Sequence, residues 1–460
     1  MNNSICTLFD NILIDIHKFK SLQYTNYWII YIDNNKKNIY NMNILWISNI
    51  LLPDISLYLN QPVSFGGGWM FSSLSAIKQQ GPNNEYAVLC FSNIVNSLIT
   101  KKINNITYYV MPEFCKKNRN QNIEYCKIIT KSFNPNLVHI HGTEQENAYY
   151  FLNANPDLEY VVSIQGLLSV CSRYYLSHLN RIRLLKYTTI YELIKHCTIF
   201  DGQKSYKRKG KTELKLIQSV NNIIGRTEWD KAHTWAINSN ATYYFCNETL
   251  RPSFYNKKWE YNNCEPYSIF ISQAKNPIKG FHVFLKALPL IIEKYPQTRV
   301  YIGSSLDLNP HKLKEKIKMG SYAKYLRYLI KKYNLEDKIV CYNGLSEAQM
   351  CNQYLKCNVF VSSSAIENSP NSVGEAQLLG VPTISSYVGG VGSMITHDKT
   401  GFYYRYDEPE LLAYHVCNIF AGNYSKSILE QEQIEAQRRH DPKTNALQML
   451  NIYNTIYNKK

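Results

Sequence analysis

The chain has 460 residues, more than one hydrophobic core ordinarily supports, so two domains of roughly 200 residues each are expected. With 45% hydrophobic residues and no apolar run near the roughly 18 residues of a membrane span, it reads as a globular protein, soluble or peripheral. A formal charge of +16 suits nucleic acid, an anionic membrane face or phosphate-bearing substrates, and composition alone does not choose among them.

The N-terminus lacks the basic, apolar, small-residue order of a leader, so a cytoplasmic location is expected. The twelve cysteines fit that compartment: they are scattered, without CxxC pairs, which argues against zinc sites and a disulfide framework.

Residues 1–41 carry no strong pattern and read either as an appended helical extension or as sequence preceding a true start at Met42, and the fold is expected to start at the apolar run Asn43–Ser48. Gly66, Gly67 and Gly68 follow, before an amphipathic helix with Met70, Leu74 and Ile77 on one face. Short apolar runs at 86–90, 137–140, 160–164 and 222–225 then alternate with helical patterns, which predicts a doubly wound α/β domain over 43–255. His139 and His141 stand at the end of one of these strands, where ligands of open α/β sheets bind; His141 is the candidate and His139 is read as structural.

An insertion at 172–219 is rich in aromatic and basic residues and ends in Lys204, Lys207, Arg208, Lys209, Lys211 and Lys215. It reads either as a solvated helical face or as an acceptor or anionic-membrane surface. Arg226 ends a strand and offers a phosphate or acceptor contact, an ion pair with Asp230 one turn on being the simpler reading.

The polar stretch 256–266 is the expected linker. Strand-like runs at 268–271, 299–302, 338–341, 359–361 and 382–384 predict a second α/β domain over 267–425, and a helical segment over 426–460, with one long helix at Ile434–Tyr457, is expected to cross back.

Most of the chemistry lies between Ser362 and Pro382. Pro370 closes a loop, Ser372 is the expected N-cap of a short helix, and Gly380 before Val381-Pro382 ends it. A helix N-terminus there would present the amides of Asn371 and Ser372 and a positive dipole end to a diphosphate. Glu375, read as lying in the first turn, suits two ribose hydroxyls, and Glu367 on the preceding loop suits sugar hydroxyls. A capping box between Ser372 and Glu375 is the structural alternative.

Glu367 and Glu375, with seven residues between them, resemble the paired glutamates of retaining family 4 glycosyltransferases of GT-B fold. The resemblance extends to Lys279-Gly280, similar to the family's helix opening, to Gly344-Leu345, its base-contacting turn, to Gly389-Gly390, the loop after the glutamate helix, and to Gly67 and Gly68 of its glycine loop. Gly225–Asp230 and Cys246–Tyr255 resemble a subgroup of these enzymes found in bacterial surface-polysaccharide clusters.

The resemblance implies two Rossmann-like domains facing across a cleft, and transfer of a hexosyl unit from a nucleotide-diphosphate sugar to a saccharide or lipid-linked saccharide, with retained configuration. Lys279 would hold the diphosphate, and His141 would face the donor sugar with Glu367. Gly390 and Arg226 are candidates for acceptor or phosphate contacts.

The family's usual arginine before this lysine is absent: the segment reads Ser272-Gln273-Ala274-Lys275-Asn276-Pro277, leaving Lys275 or Arg226 to supply the second phosphate contact. No Asp-x-Asp cluster stands ready for a metal, so neither metal nor cofactor is expected. The rival readings are a nucleotide-sugar epimerase or hydrolase of the same fold and, from another class, a nucleic-acid-binding protein using the charge and 38 tyrosines. No nucleic-acid motif appears, so nucleic acid is not an expected partner.

Overall fold

A computed structural model describes residues 41–459 apart from 64–67, 307, 309–312 and 343, so Gly66, Gly67 and nearly all of the N-terminal extension lie outside the described residues. A compact unit begins at Met42. Its first sheet holds β1 (Asn43–Ser48), β2 (Glu85–Phe91), β3 (Ile99–Ile103), β4 (Ile106–Met111), β5 (Leu137–His141), β6 (Tyr160–Ser163), β7 (Asn222–Gly225) and β8 (Thr242–Phe245), in the order β3-β4-β2-β1-β5-β6-β7-β8. Only β3 and β4 pair antiparallel.

The second sheet holds β9 (Ser268–Ile271), β10 (Arg299–Ile302), β11 (Ile339–Cys341), β12 (Val359–Ser362), β13 (Thr383–Ser386) and β14 (Phe402–Tyr404), all parallel, in the order β11-β10-β9-β12-β13-β14. Parallel strands covered by helices on both faces read as continuous apolar runs because both faces are buried. Trp46, Val88, Val138, Val162, Ile269 and Val361 are accordingly almost wholly inaccessible.

In each sheet the strand order reverses beside the first strand, between β1 and β5 and between β9 and β12. Such switch points open a crevice beyond the carboxyl ends of the strands. His141 ends β5, and Lys279 and Glu367 follow β9 and β12, so the topology alone brings all three to crevice edges.

Three local readings are corrected. The stretch 256–266 is not a free connector: Trp259 is buried in the second domain, its indole N–H donating to Cys357 O at 2.7 Å. Leu250 and Phe254 join the same cluster, so the chain enters the second domain soon after β8. The expected single helix over 434–457 is two, Lys426–Arg439 and Pro442–Tyr457, because Pro442 cannot continue the first and Asp441 caps the second.

The latter helix returns to the first domain, where Tyr453 Oη accepts from Trp46 Nε1 at 3.0 Å and lies 2.6 Å from His139 Nδ1. His139 Nε2 meets Ser163 Oγ at 2.7 Å. Both ring nitrogens are satisfied and the residue is wholly buried, a core histidine.

Candidate active site

The loop after β9 is held on the loop after β12. Ala365 N donates to Ile278 O at 2.7 Å and Ser363 Oγ to Lys279 O at 3.0 Å. Gly280, at φ +67°, makes this approach possible: a Cβ there would lie 1.7 Å from Ser363 O. Gly280→Ala is therefore expected to cost more than the roughly 1–2 kcal/mol of the left-handed backbone alone, because two backbones must also separate. Urea unfolding measures the loss, and an unchanged midpoint would contradict the packing.

The clamp places Lys279 Nζ 2.5 Å from Glu367 Oε1, which also accepts from Ser364 Oγ at 2.6 Å. Gly389 and Gly390 close over Glu367 from behind, the Gly390 amide donating to Glu367 O at 3.0 Å and a Cβ on Gly389 falling 1.9 Å from that oxygen. Gly390 is thus packed between Asn368 and Thr227, a structural contact between the domains.

The glutamate helix runs Asn371–Leu379 with Pro370 at the N-cap and no side-chain cap. Ser372 is therefore not the cap, and Glu375 lies beyond the first turn. No capping box forms; the Glu375 carboxylate instead takes a two-pronged bond from Arg251, Nε to Oε1 at 2.7 Å and Nη2 to Oε2 at 2.8 Å. Burial pushes the Glu375 carboxyl up and Arg251 pulls it back, burial prevailing. The amides of Val373 and Gly374 bond to Pro370 O, whereas those of Asn371 and Ser372 precede any helical acceptor.

Lys279, Glu367, Asn371 and Ser372 line one cavity of about 220 Å³, with Ser272, Ser362 and Ser364 beside them and Gln165 and Arg226 from the first domain opposite. Of the two candidates for the missing arginine, the structure brings Arg226 to this cavity. Lys275 lines a separate interdomain cavity of about 670 Å³.

The expected Arg226–Asp230 ion pair takes another form. Asp230 accepts from the Arg226 backbone amide at 2.9 Å, while the guanidinium pairs with Glu248 and donates to Ile164 O at 3.1 Å. Asn368 binds the domains together, accepting from Thr227 Oγ1 at 2.7 Å and donating to Asp230 Oδ2 at 3.0 Å.

His141 packs against Trp46, the ring centroids 4.0 Å apart and the planes tilted by 49°, and faces a small cavity of about 30 Å³ shared with Trp69, Gln165, Arg226 and Glu248. Among the described residues neither His141 nitrogen has a partner, and Glu248 Oε2, Arg226 Nε and Asn247 Oδ1 are likewise buried and unpaired there. Buried polar atoms without partners are costly, so their convergence marks a place built for a polar guest. Burial holds the His141 imidazole neutral, its pKa lowered to about 3, so it can offer one donor and one acceptor.

Gly68 opens the helix Gly68–Gln80 against the Arg251 side chain, placing the end of the glycine loop beside Glu375's partner. Gly344, at φ +95°, is exposed, and Leu345 packs at the margin of the second core, apart from the 220 Å³ cavity. Sequence reasoning missed Arg251, Gln165, Glu248 and Asn368. Each acts through contacts distant in the chain, and only the quoted Cys246–Tyr255 stretch gave any signal for two of them.

Residues 253–440 match the family described as glycosyl transferases group 1. Over 302 residues, 64% of this chain and 69% of the other, the chain is 20% identical to the uncharacterized glycosyltransferase MJ1607 of Methanocaldococcus jannaschii. Among solved structures it is similar to sucrose-phosphate synthase from Thermosynechococcus elongatus, with TM-score 0.64, 14% identity and coverage of 91% and 99% of the two chains. It is also similar to HepE from Anabaena in complex with UDP-glucose, with TM-score 0.62, 15% identity and coverage of 90% and 100%. A glycosyl transferases group 1 domain thus occupies residues 253–440, and the chain has the fold of the GT-B glycosyltransferases.

Proposed function

We propose that the protein is a retaining glycosyltransferase that moves a hexosyl unit from a nucleotide-diphosphate sugar to a saccharide or lipid-linked saccharide acceptor in cell-surface polysaccharide synthesis. The observation that carries this reading is the convergence of two cations, Lys279 and Arg226, with the Asn371 and Ser372 amides around one cavity that also holds Glu367. Two cations and a helix N-terminus suit a diphosphate, and a carboxylate beside them suits sugar hydroxyls.

In this arrangement the bond from the anomeric carbon to the diphosphate oxygen breaks as charge grows on the leaving group. Lys279 and the two amides meet that charge, and the departing diphosphate takes the acceptor's hydroxyl proton as its oxygen bonds the anomeric carbon from the same side. His141, neutral and unpaired, offers a hydrogen bond to the transferred sugar. Glu375 is engaged by Arg251 and does not line this cavity, so no ribose contact is assigned to it. The neighbour crystallised with UDP-glucose supports a nucleotide-sugar donor of this kind.

Thermal shift against UDP-, GDP-, ADP- and CMP-sugars tests the reading. One nucleotide family is expected to stabilise the protein by about 2.7 kcal/mol at a concentration 100 times Kd, and Lys279→Met to lose most of that shift. Stabilisation by none of them would count against a nucleotide-sugar site. The product's anomeric configuration, read by NMR, then decides retention, and free sugar or altered donor formed without acceptor would point to a hydrolase or epimerase.

A further inference from the structure

Within the insertion, helices Arg181–Tyr187 and Ile190–Lys195 pack on the second domain, Tyr187 meeting Tyr325 and Tyr328. Leu184 enters the second core, and buried Glu192 accepts from Ser321 N at 2.8 Å and from Ser321 Oγ at 3.0 Å. The other large aliphatics turn outward: Ile182, Leu185, Ile190, Leu193 and Ile194 are 58–79% exposed. Ile182 and Leu185 are three apart, and Ile190, Leu193 and Ile194 three and four apart, so each set shares a helix face.

Single exposed apolar residues need no explanation, whereas five in so short a stretch do. Around them stand Arg173, Arg181, Arg183, Lys186 and Lys195, all exposed, and the one acid between 173 and 198 is the buried Glu192. The adjoining helix Leu313–Lys318 adds Ile317, Lys314 and Lys318, with Glu315 its one acid. By contrast, the lysine-rich helix Ile199–Gln218 exposes Lys204, Lys207, Arg208, Lys211 and Lys215 with no exposed large aliphatic among them.

We propose that the helix pair 181–195, rather than the lysine-rich helix, is a docking face for an anionic lipid bilayer. The five aliphatics enter the boundary between headgroups and acyl chains while the arginines and lysines meet lipid phosphates. Aliphatic residues ringed by cations are what such a boundary binds, and a purely basic helix supplies only the weaker, salt-screened half of the interaction. Docking also brings the bilayer to the 670 Å³ interdomain cavity, because His196 and Cys197, next along the chain, line it.

The test is co-sedimentation of the full chain with phosphatidylcholine vesicles, with and without phosphatidylglycerol. Binding to the anionic vesicles is expected to fall by about ten-fold or more in Ile190→Ser/Ile194→Ser and in Arg181→Ser/Arg183→Ser, and much less in Lys207→Ser/Lys211→Ser. All six side chains are exposed or nearly so, and unchanged circular dichroism would show the fold intact. The proposal is overturned if the wild-type chain ignores anionic vesicles, if the aliphatic pair is dispensable, or if light scattering shows a dimer that Ile190→Ser/Ile194→Ser dissociates, which assigns the face to a second copy.

Discussion

Replacing Lys279 by Met is expected to lower kcat by about 10²–10³-fold, or about 2.7–4 kcal/mol of transition-state stabilisation, with little loss of stability. The ammonium is partly exposed and its one strong partner among the described residues is Glu367, so the fold does not depend on it. On the proposed mechanism its value would lie in the change of charge during reaction, since a lysine fixed by the Gly280 clamp would require no rearrangement when the diphosphate departs.

Glu367→Gln should also reduce kcat, because it removes the carboxylate that orients Lys279, though the Ser364 hydroxyl still has an acceptor. The double variant should lose less than the sum, as the two residues form one unit. Lys275→Met, on the separate cavity, should leave kcat nearly unchanged and serve as the internal comparison. Nucleotide release under saturating donor and acceptor measures all four; a Lys279→Met enzyme with the wild-type kcat would remove this residue from the chemistry.

The alternation of short apolar runs with helices showed most strands of both sheets in advance, because strands buried on two faces leave a continuous apolar signature, although the buried Ile106–Met111 went unread. Where that condition fails, so did the signature. The edge strand Ile99–Ile103 carries exposed Lys101 and Lys102, charges that blunt a sheet edge and mask a strand in the same stroke. The edge strand Thr242–Phe245 is exposed or only half-buried along its whole length, so it leaves no buried apolar run.

For the site, the glutamates, the Lys-Gly turn and the helix opening were readable because each is a local pattern. Their partners were not. Arg251 meets Glu375 from 124 residues away and Asn368 meets Asp230 from 138, and nothing in local periodicity encodes such distances. The same limit explains Arg226, where a partner four residues on seemed sufficient and Glu248, on a different segment, holds the guanidinium.

Arg251→Met is expected to destabilise the protein by about 3–5 kcal/mol, the range for removing one partner of a buried pair and stranding the other charge. Both side chains are nearly inaccessible, at 12% and 6% exposure, so solvent cannot replace the lost guanidinium. Adding Glu375→Met should recover most of the loss, since two apolar groups leave no charge unpaired.

The pH dependence has a definite sign. Burial already holds the Glu375 carboxyl above its ordinary range, so its contribution to stability is greatest below the unfolded pKa of about 4.3 and declines as pH rises through the folded one. Without Arg251 the folded pKa rises further, and the destabilisation of Arg251→Met should be greater near about pH 8 than near about pH 5. Urea unfolding at the two pH values measures it. A loss equal at both would mean that Arg251 acts by packing against Phe254, over whose ring it lies at 4.9 Å, and not by holding the charge of Glu375.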